Sequence, residues 1–343
     1  VSQPEATGAM TTIHSQRIPR RLCTRALAAA ALFGPVVLFA DEPPFQKKTY
    51  TYKTVGDIEI KADVVRHADE KVRPVLVWIH GGALIMGSRT GVPSQLMDLC
   101  KSDGFVLVSI DYRLAPEVKL PAIIEDVKDS ITWVRRDGPK LLHCDPNKLV
   151  VAGGSAGGYL TMMTGFVVEP RPTALVAYWG YGDVDGDWYA KPSEHYRTTA
   201  TLVAKDEAYS GVGVGGAIVT GTEGGTDQQK ARSRFYLYLR QNGLWPKEVV
   251  GFDPATKRSK FDPYCPIRNI DDKYPPILMI HGTVDTDVPY DQSAAMAKEL
   301  ARRNRPHELI TVPAAGHGLA GGDKQLIADA HARAAAFIRK HLK

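Results

Sequence analysis

Apolar residues follow two rhythms along the chain. From Lys47 to His67, KKTYTYKTVGDIEIKADVVRH alternates around Gly56-Asp57, which predicts a β-hairpin with one face on the core. Beyond it the apolar runs are short and nearly continuous, at residues 74–80, 105–111, 148–154, 173–180, 275–282 and 307–313. Such runs suit strands of a parallel sheet buried on both faces. Between them, residues 92–102, 121–136, 156–167, 290–303 and 324–341 carry helical patterns. Strand alternating with helix predicts an α/β fold, a mostly parallel doubly wound sheet with right-handed crossovers.

Residues 181–265 break the rhythm. They contain no strand–helix unit and are rich in Gly, Tyr, Trp and charge. Within them RSRFYLYLRQNGLW (232–245) reads as an aromatic helix ending at Gly243. The expected organisation is therefore a single domain over 41–343, with an insertion at about 181–265 packed as a cap or lid over the sheet's C-terminal edge. The aromatic content argues against a disordered loop.

Composition adds little until the N-terminus is considered. The chain has 343 residues, 44% of them hydrophobic and 24% charged, ample for a sizeable core. Arg17, Arg20, Arg21 and Arg25 precede the apolar stretch ALAAAALFGPVVLFA (Ala26–Ala40), and polar Asp41-Glu42 follow. This is the pattern of a cleaved secretory signal over residues 1–40. About 15 apolar residues are few for a membrane span, so no stable span is expected and the location is secreted or periplasmic. Without those four arginines and Glu5, the +5 net charge drops to 39 basic against 37 acidic residues. That balance gives no electrostatic case for nucleic acid. Cys100, Cys144 and Cys265 remain, too few and too far apart for a disulfide framework. One bridge or three buried thiols are both compatible with them.

The chemistry lies at strand ends. LVVAGGSAGGYL (149–160) places Ser155 in Gly153-Gly154-Ser155-Ala156-Gly157, after a strand and before a helix. This G-x-S-x-G context is a nucleophile elbow, whose small residues let a tight turn present one hydroxyl. A serine hydroxyl needs a base to react, and in such folds the acid and then the histidine follow in the chain. IHGTVDTDVPY offers Asp285 and Asp287, and VPAAGHGLAGG offers His317 in a glycine-rich loop. Asp285, the first carboxylate after the turn, is assigned as the acid. Asp287 is the alternative, or else fixes the loop or caps the next helix. Among ten histidines, His143, His195 and His307 lack such a loop, while His80 and His281 end strands and are expected to orient loops. HGGALIMG (80–87) follows a strand and resembles an HGGG-type loop, so the amides of Gly82 and Ala83, with that of Ala156, are the candidate oxyanion donors.

Other chemistries find no support. GVGVGG (211–216) matches G-x-G-x-x-G in letters but follows no apolar strand. There is no H-E-x-x-H, paired-cysteine metal motif or P-loop. No cofactor and no metal are expected.

Together HGGA, DYRLAPE (111–117), EDVKDSITWVR (125–135), GGSAGG and HGTVDTDVPYDQSAAMAKEL, in that order, resemble the secreted carboxylesterase branch of the α/β-hydrolase superfamily. They are similar to hormone-sensitive-lipase-like esterases and bifunctional feruloyl/acetylxylan esterases. The resemblance covers roughly residues 47–180 and 266–342. It implies a serine esterase with Ser155, Asp285 and His317 as its triad and Gly82, Ala83 and Ala156 as its oxyanion amides. It also implies that Asp111 and Arg113 fix the loop under the site. Residues 181–265 depart from the family pattern, and with them substrate choice. Trp179, Tyr181, Trp188, Tyr189 and Trp245 are the aromatics available to stack on a sugar or phenolic ring, or else to pack the core. The expected partner is a small or polysaccharide-linked ester. The segment from His281 also resembles prolyl oligopeptidases, which makes a serine peptidase the second reading. A non-catalytic binding protein on the same fold is the third. Oligomeric state is not readable.

Overall fold

The computed structural model describes residues 44–213 and 216–343. The expected signal segment, 1–40, and Val214-Gly215 of the glycine-rich stretch lie outside the described residues. Strands β1 (Phe45–Val55) and β2 (Ile58–His67) form the expected hairpin. β3 (Arg73–Ile79), β4 (Val106–Ile110), β5 (Cys144–Gly154), β6 (Ala174–Tyr178), β7 (Ile277–Gly282) and β8 (His307–Val312) follow. The eight-stranded sheet runs β1-β2-β4-β3-β5-β6-β7-β8. The β1–β2 and β2–β4 pairings are antiparallel and all others parallel. All described residues belong to one compact unit.

Strand periodicity sorts side chains between two cores. Val75, Val77 and Ile79 of β3 enter one, with the helices Leu120–Leu141 and Ala156–Val167. Leu76 and Trp78 enter the other, with the helices Ser94–Asp103 and Lys324–Leu342. Both faces are apolar and covered, which is why these strands read as unbroken apolar runs rather than alternating ones.

Two elements run longer than their sequence pattern. β5 starts at Cys144, where it pairs with Arg73 across a register shift. The second helix continues past 136 to Leu141 with Gly138-Pro139 inside it. A Cβ on Gly138 would lie 2.6 Å from the Cys144 sulfur, so a close strand–helix approach outweighs low helix propensity there. The three described cysteines are free and buried.

Residues 181–265 contribute no strand to the sheet. Their main helix is Asp227–Asn242, five residues earlier than the aromatic pattern suggested. Thr226 caps it by accepting from the Gln229 amide, and Gly243 ends it at φ 67°. Phe235, Leu239, Tyr181, Tyr189 and Trp245 from this segment join the first core.

Candidate active site

Ser155 sits between β5 and the following helix with φ 56° and ψ −122°. A non-glycine residue rarely adopts this backbone, and it costs of order 1–3 kcal/mol. The strain is held in place locally: the Ser155 amide donates to the Tyr178 carbonyl at 2.9 Å and the Ser155 carbonyl accepts from Tyr159 at 3.0 Å. The neighbours must be small. A Cβ on Gly157 would lie 2.0 Å from the Ile79 carbonyl oxygen, because the helix starts against the end of β3.

The loop after β8 carries His317 to this serine. His317 Nε2 lies 3.0 Å from Ser155 Oγ, and Nδ1 lies 2.8 Å from Asp285 Oδ2. Asp285 is itself fixed: its Oδ1 accepts from the Asp287 and Val288 amides, each at 2.9 Å. His281 Nε2 stands 3.3 Å from its Oδ2. His281 is held in turn at the Val288 carbonyl (3.0 Å) and at Ser293 Oγ (2.7 Å), so it orients the acid loop as its strand-end position suggested. Burial pushes the Asp285 carboxyl up, but hydrogen bonds from His281 and His317 outweigh it and hold the carboxyl well below the usual range. Burial likewise pulls His317 down, and the Asp285 hydrogen bond with the charges of Asp287 and Asp285 raises it above its ordinary value. This chain of groups can take a proton from the hydroxyl and stabilise the resulting imidazolium.

Asp287 does not hold the histidine's Nδ1. Its Oδ1 accepts from Tyr196 (2.9 Å), Tyr236 and Arg240 Nη1 (2.7 Å), and its Oδ2 lies 3.5 Å from His317 Nε2. The helix that follows starts after Tyr290 with no side-chain cap. So Asp287 is joined to residues of the 181–265 segment.

Loop 80–87 lies directly against the serine. A Cβ on Gly81 would come within 3.2 Å of Ser155 Cβ. Gly82, Ala83 and Leu84 turn through positive φ of 106°, 56° and 64°. Among the described residues none accepts from the Gly82 or Ala83 amide, and the Ala156 amide is the first of its helix, where no intrahelical acceptor exists. The loop is braced by the 181–265 segment. Trp245 Nε1 donates to the Ala83 carbonyl at 3.0 Å, and Arg232 Nη1 to the Ile85 and Ala115 carbonyls at 2.7 and 2.8 Å. Thr222 exchanges hydrogen bonds with Gly87 at 2.8 Å each. Sequence reasoning missed these braces. The available signal was Arg232 at helical spacing with Phe235 and Leu239, a charge on an apolar stripe.

Below the loop, burial pulls His80 down to about 4 although its Nδ1 stands at the Gly81 carbonyl. Its ring stacks on Tyr112 at 4.2 Å. Asp111 accepts from the Arg89 amide and side chain, while Arg113 pairs with Asp126 at 2.7 Å. The aromatics divide by role. Tyr189 and Trp245 stack on each other at 4.0 Å, and Tyr181 stacks on Tyr159 at 4.8 Å; all three are buried and pack the core. Trp179 stands at the site, its ring 6.4 Å from that of His317. Among the described residues no group of three or more His, Cys, Asp or Glu side chains is arranged to hold a metal ion, and none of their helices is long and apolar enough to cross a membrane.

Comparisons with known proteins fit this architecture. The polyketide synthase adrD of Penicillium rubens, of the non-reducing type, is 30% identical over 314 residues; the match covers 79% of this chain and 12% of that protein. Esterase LipC of Mycobacterium tuberculosis is 29% identical over 259 residues, covering 75% of this chain and 56% of its own length. The chain thus spans only a small part of the synthases and just over half of LipC. Among solved structures, an esterase of Pyrobaculum calidifontis matches with TM-score 0.62 and 24% identity, covering 88% of this chain and 86% of that one. A Staphylococcus aureus protein of unknown function matches with TM-score 0.67 and 21% identity, covering 87% and 100%. The family described as the alpha/beta hydrolase fold matches residues 76–321. With its eight-stranded sheet and its serine turn after β5, this chain belongs to the alpha/beta hydrolase fold family.

Proposed function

We propose that the protein is a serine esterase acting on carboxylic esters, of the short acyl or the sugar- or phenol-linked kind. The observation that carries the reading is the continuous path from Ser155 Oγ through His317 to Asp285, with steps of 3.0 and 2.8 Å. Ser155 Oγ attacks the ester carbonyl as His317 Nε2 takes its proton. Asp285 keeps the other ring nitrogen protonated and offsets the charge that forms. The amides of Gly82, Ala83 and Ala156 are assigned to the developing oxyanion. His317 returns the proton to the departing alcohol, then activates the water that clears the acyl-enzyme. Residues 181–265 act as the cap that shapes the substrate space. Export follows from the arginine-led apolar stretch of residues 17–40.

The test is a substrate panel run beside active-site labelling. Purified protein should react with a fluorophosphonate probe at Ser155 and hydrolyse p-nitrophenyl acetate, with rates falling for long-chain esters. Acetylated xylan and methyl ferulate sort the sugar and phenolic options. Cleavage of a prolyl peptide without ester turnover would overturn the reading, as would labelling at another residue.

The base also sets a pH dependence. His317 must be neutral to accept the serine proton, and its surroundings raise it above the ordinary 6.5. Activity is therefore lost as pH falls through the raised value. The acid limb of kcat/KM for p-nitrophenyl acetate is expected to have its midpoint above pH 6.5. A midpoint clearly below it would mean that burial dominates at this histidine.

A further inference from the structure

We infer that Asp287 reads a hydroxyl on the leaving alcohol, selecting esters of 1,2-diols and larger polyols over esters of plain alcohols. The inference rests on the esterase reading above. Asp287 Oδ2 lies 3.5 Å from His317 Nε2, the atom that returns a proton to the departing oxygen. That oxygen must come within about 3 Å of Nε2. Where that oxygen approaches on the Asp287 side of the ring, a hydroxyl on the adjacent carbon comes within hydrogen-bond reach of Oδ2.

The carboxylate is prepared for one more donor. Its Oδ1 already accepts from Tyr196, Tyr236 and Arg240, while among the described residues no hydrogen bond ends on Oδ2. Arg240 also donates to the Asp287 carbonyl at 2.9 Å, so the group is tied by side chain and backbone together. The Asp287 side chain is 19% exposed against 3% for Arg240, which leaves the carboxylate the accessible member of the pair.

The same network argues against a cationic ligand. Arg240 already balances the Asp287 charge at 2.7 Å. The rings of Trp188, Tyr189, Tyr196 and Tyr236 surround its guanidinium at 4.9–5.8 Å, so this aromatic cage is filled from within. A neutral pair with a spare acceptor suits a neutral O–H donor.

The experiment compares kcat/KM for 2-hydroxyethyl acetate and ethyl acetate, each divided by its rate of alkaline hydrolysis. The unaltered protein should favour the hydroxyethyl ester by about 10-fold, the size of one hydrogen bond to a charged acceptor. Asp287→Ala should bring the ratio to about one. Asp287→Asn keeps an oxygen for Tyr196, Tyr236 and Arg240 and turns an amide toward the substrate; the ratio should fall at least about threefold. It serves where Asp287→Ala does not fold. A ratio near one in the unaltered protein overturns the inference, as does an unchanged ratio in a folded variant, because a merely structural role slows both esters alike. If neither ester turns over and the fluorophosphonate probe does not label Ser155, the esterase reading itself falls, and this inference with it.

Discussion

Replacing Ser155 with alanine is expected to lower kcat on p-nitrophenyl acetate by about 10⁴-fold or more, with the far-ultraviolet circular dichroism unchanged. The magnitude follows from removing the only atom that forms the acyl bond, which leaves binding and oxyanion stabilisation as residual help. Alanine keeps the Cβ and so keeps the cost of φ 56°. Ser155→Gly should be equally inactive but more stable by about 1 kcal/mol, because glycine adopts that backbone freely. Denaturant titration of both variants separates the two effects. An alanine variant with a tenth of the activity would place the nucleophile elsewhere. A glycine variant no more stable than the alanine one would show that the turn carries no strain.

The second large effect is on stability. Arg232 and Glu117 are paired with side chains 1% and 3% exposed, and Arg232 also satisfies the Ile85 and Ala115 carbonyls. Arg232→Ala leaves a buried carboxylate and two carbonyls without that donor, a loss of about 3–5 kcal/mol. It should appear as a lower denaturant midpoint. It should also lower kcat more than it raises KM, since loop 80–87 loses a brace. Replacing both members, Arg232→Met with Glu117→Leu, should recover part of the stability, because no orphaned charge remains, although the Ile85 and Ala115 carbonyls still lack their donor. A single variant within 1 kcal/mol of the parent would show that solvent reaches Glu117.

Much of this molecule was legible in its sequence for a local reason. Ser155 and His317 each follow a strand and sit among glycines, so their neighbours in the chain announce their place in space. The parallel strands were equally plain, because burial on both faces removes polar residues from the run. Asp285 and Asp287 were harder to separate. They lie two residues apart in one turn, and only the fold shows that Asp285 meets Nδ1 while Asp287 turns toward Tyr196, Tyr236 and Arg240. Arg232 stands out as a charge on an apolar stripe, but what it and Trp245 brace on loop 80–87 was not legible. Arg232 and Trp245 act on carbonyls 147 and 162 residues away, and no local pattern encodes the docking of a segment without strand rhythm. The aromatics were open to two roles for the same reason, stacking on a substrate ring or packing the core, and the fold gives Tyr181, Tyr189 and Trp245 the second, against one another and Tyr159.

The serine turn follows a central strand, whereas the histidine follows β8, the last strand at the sheet's edge. Ser155 therefore enters the chain 162 residues before its base. At a synthesis rate of about 5–20 residues per second, that interval is roughly 8–30 seconds. Throughout it the nascent chain holds a nucleophile with no partner to activate it. The base reaches the serine only once β8 has paired with β7, so hydrolytic competence waits on an edge strand of the sheet.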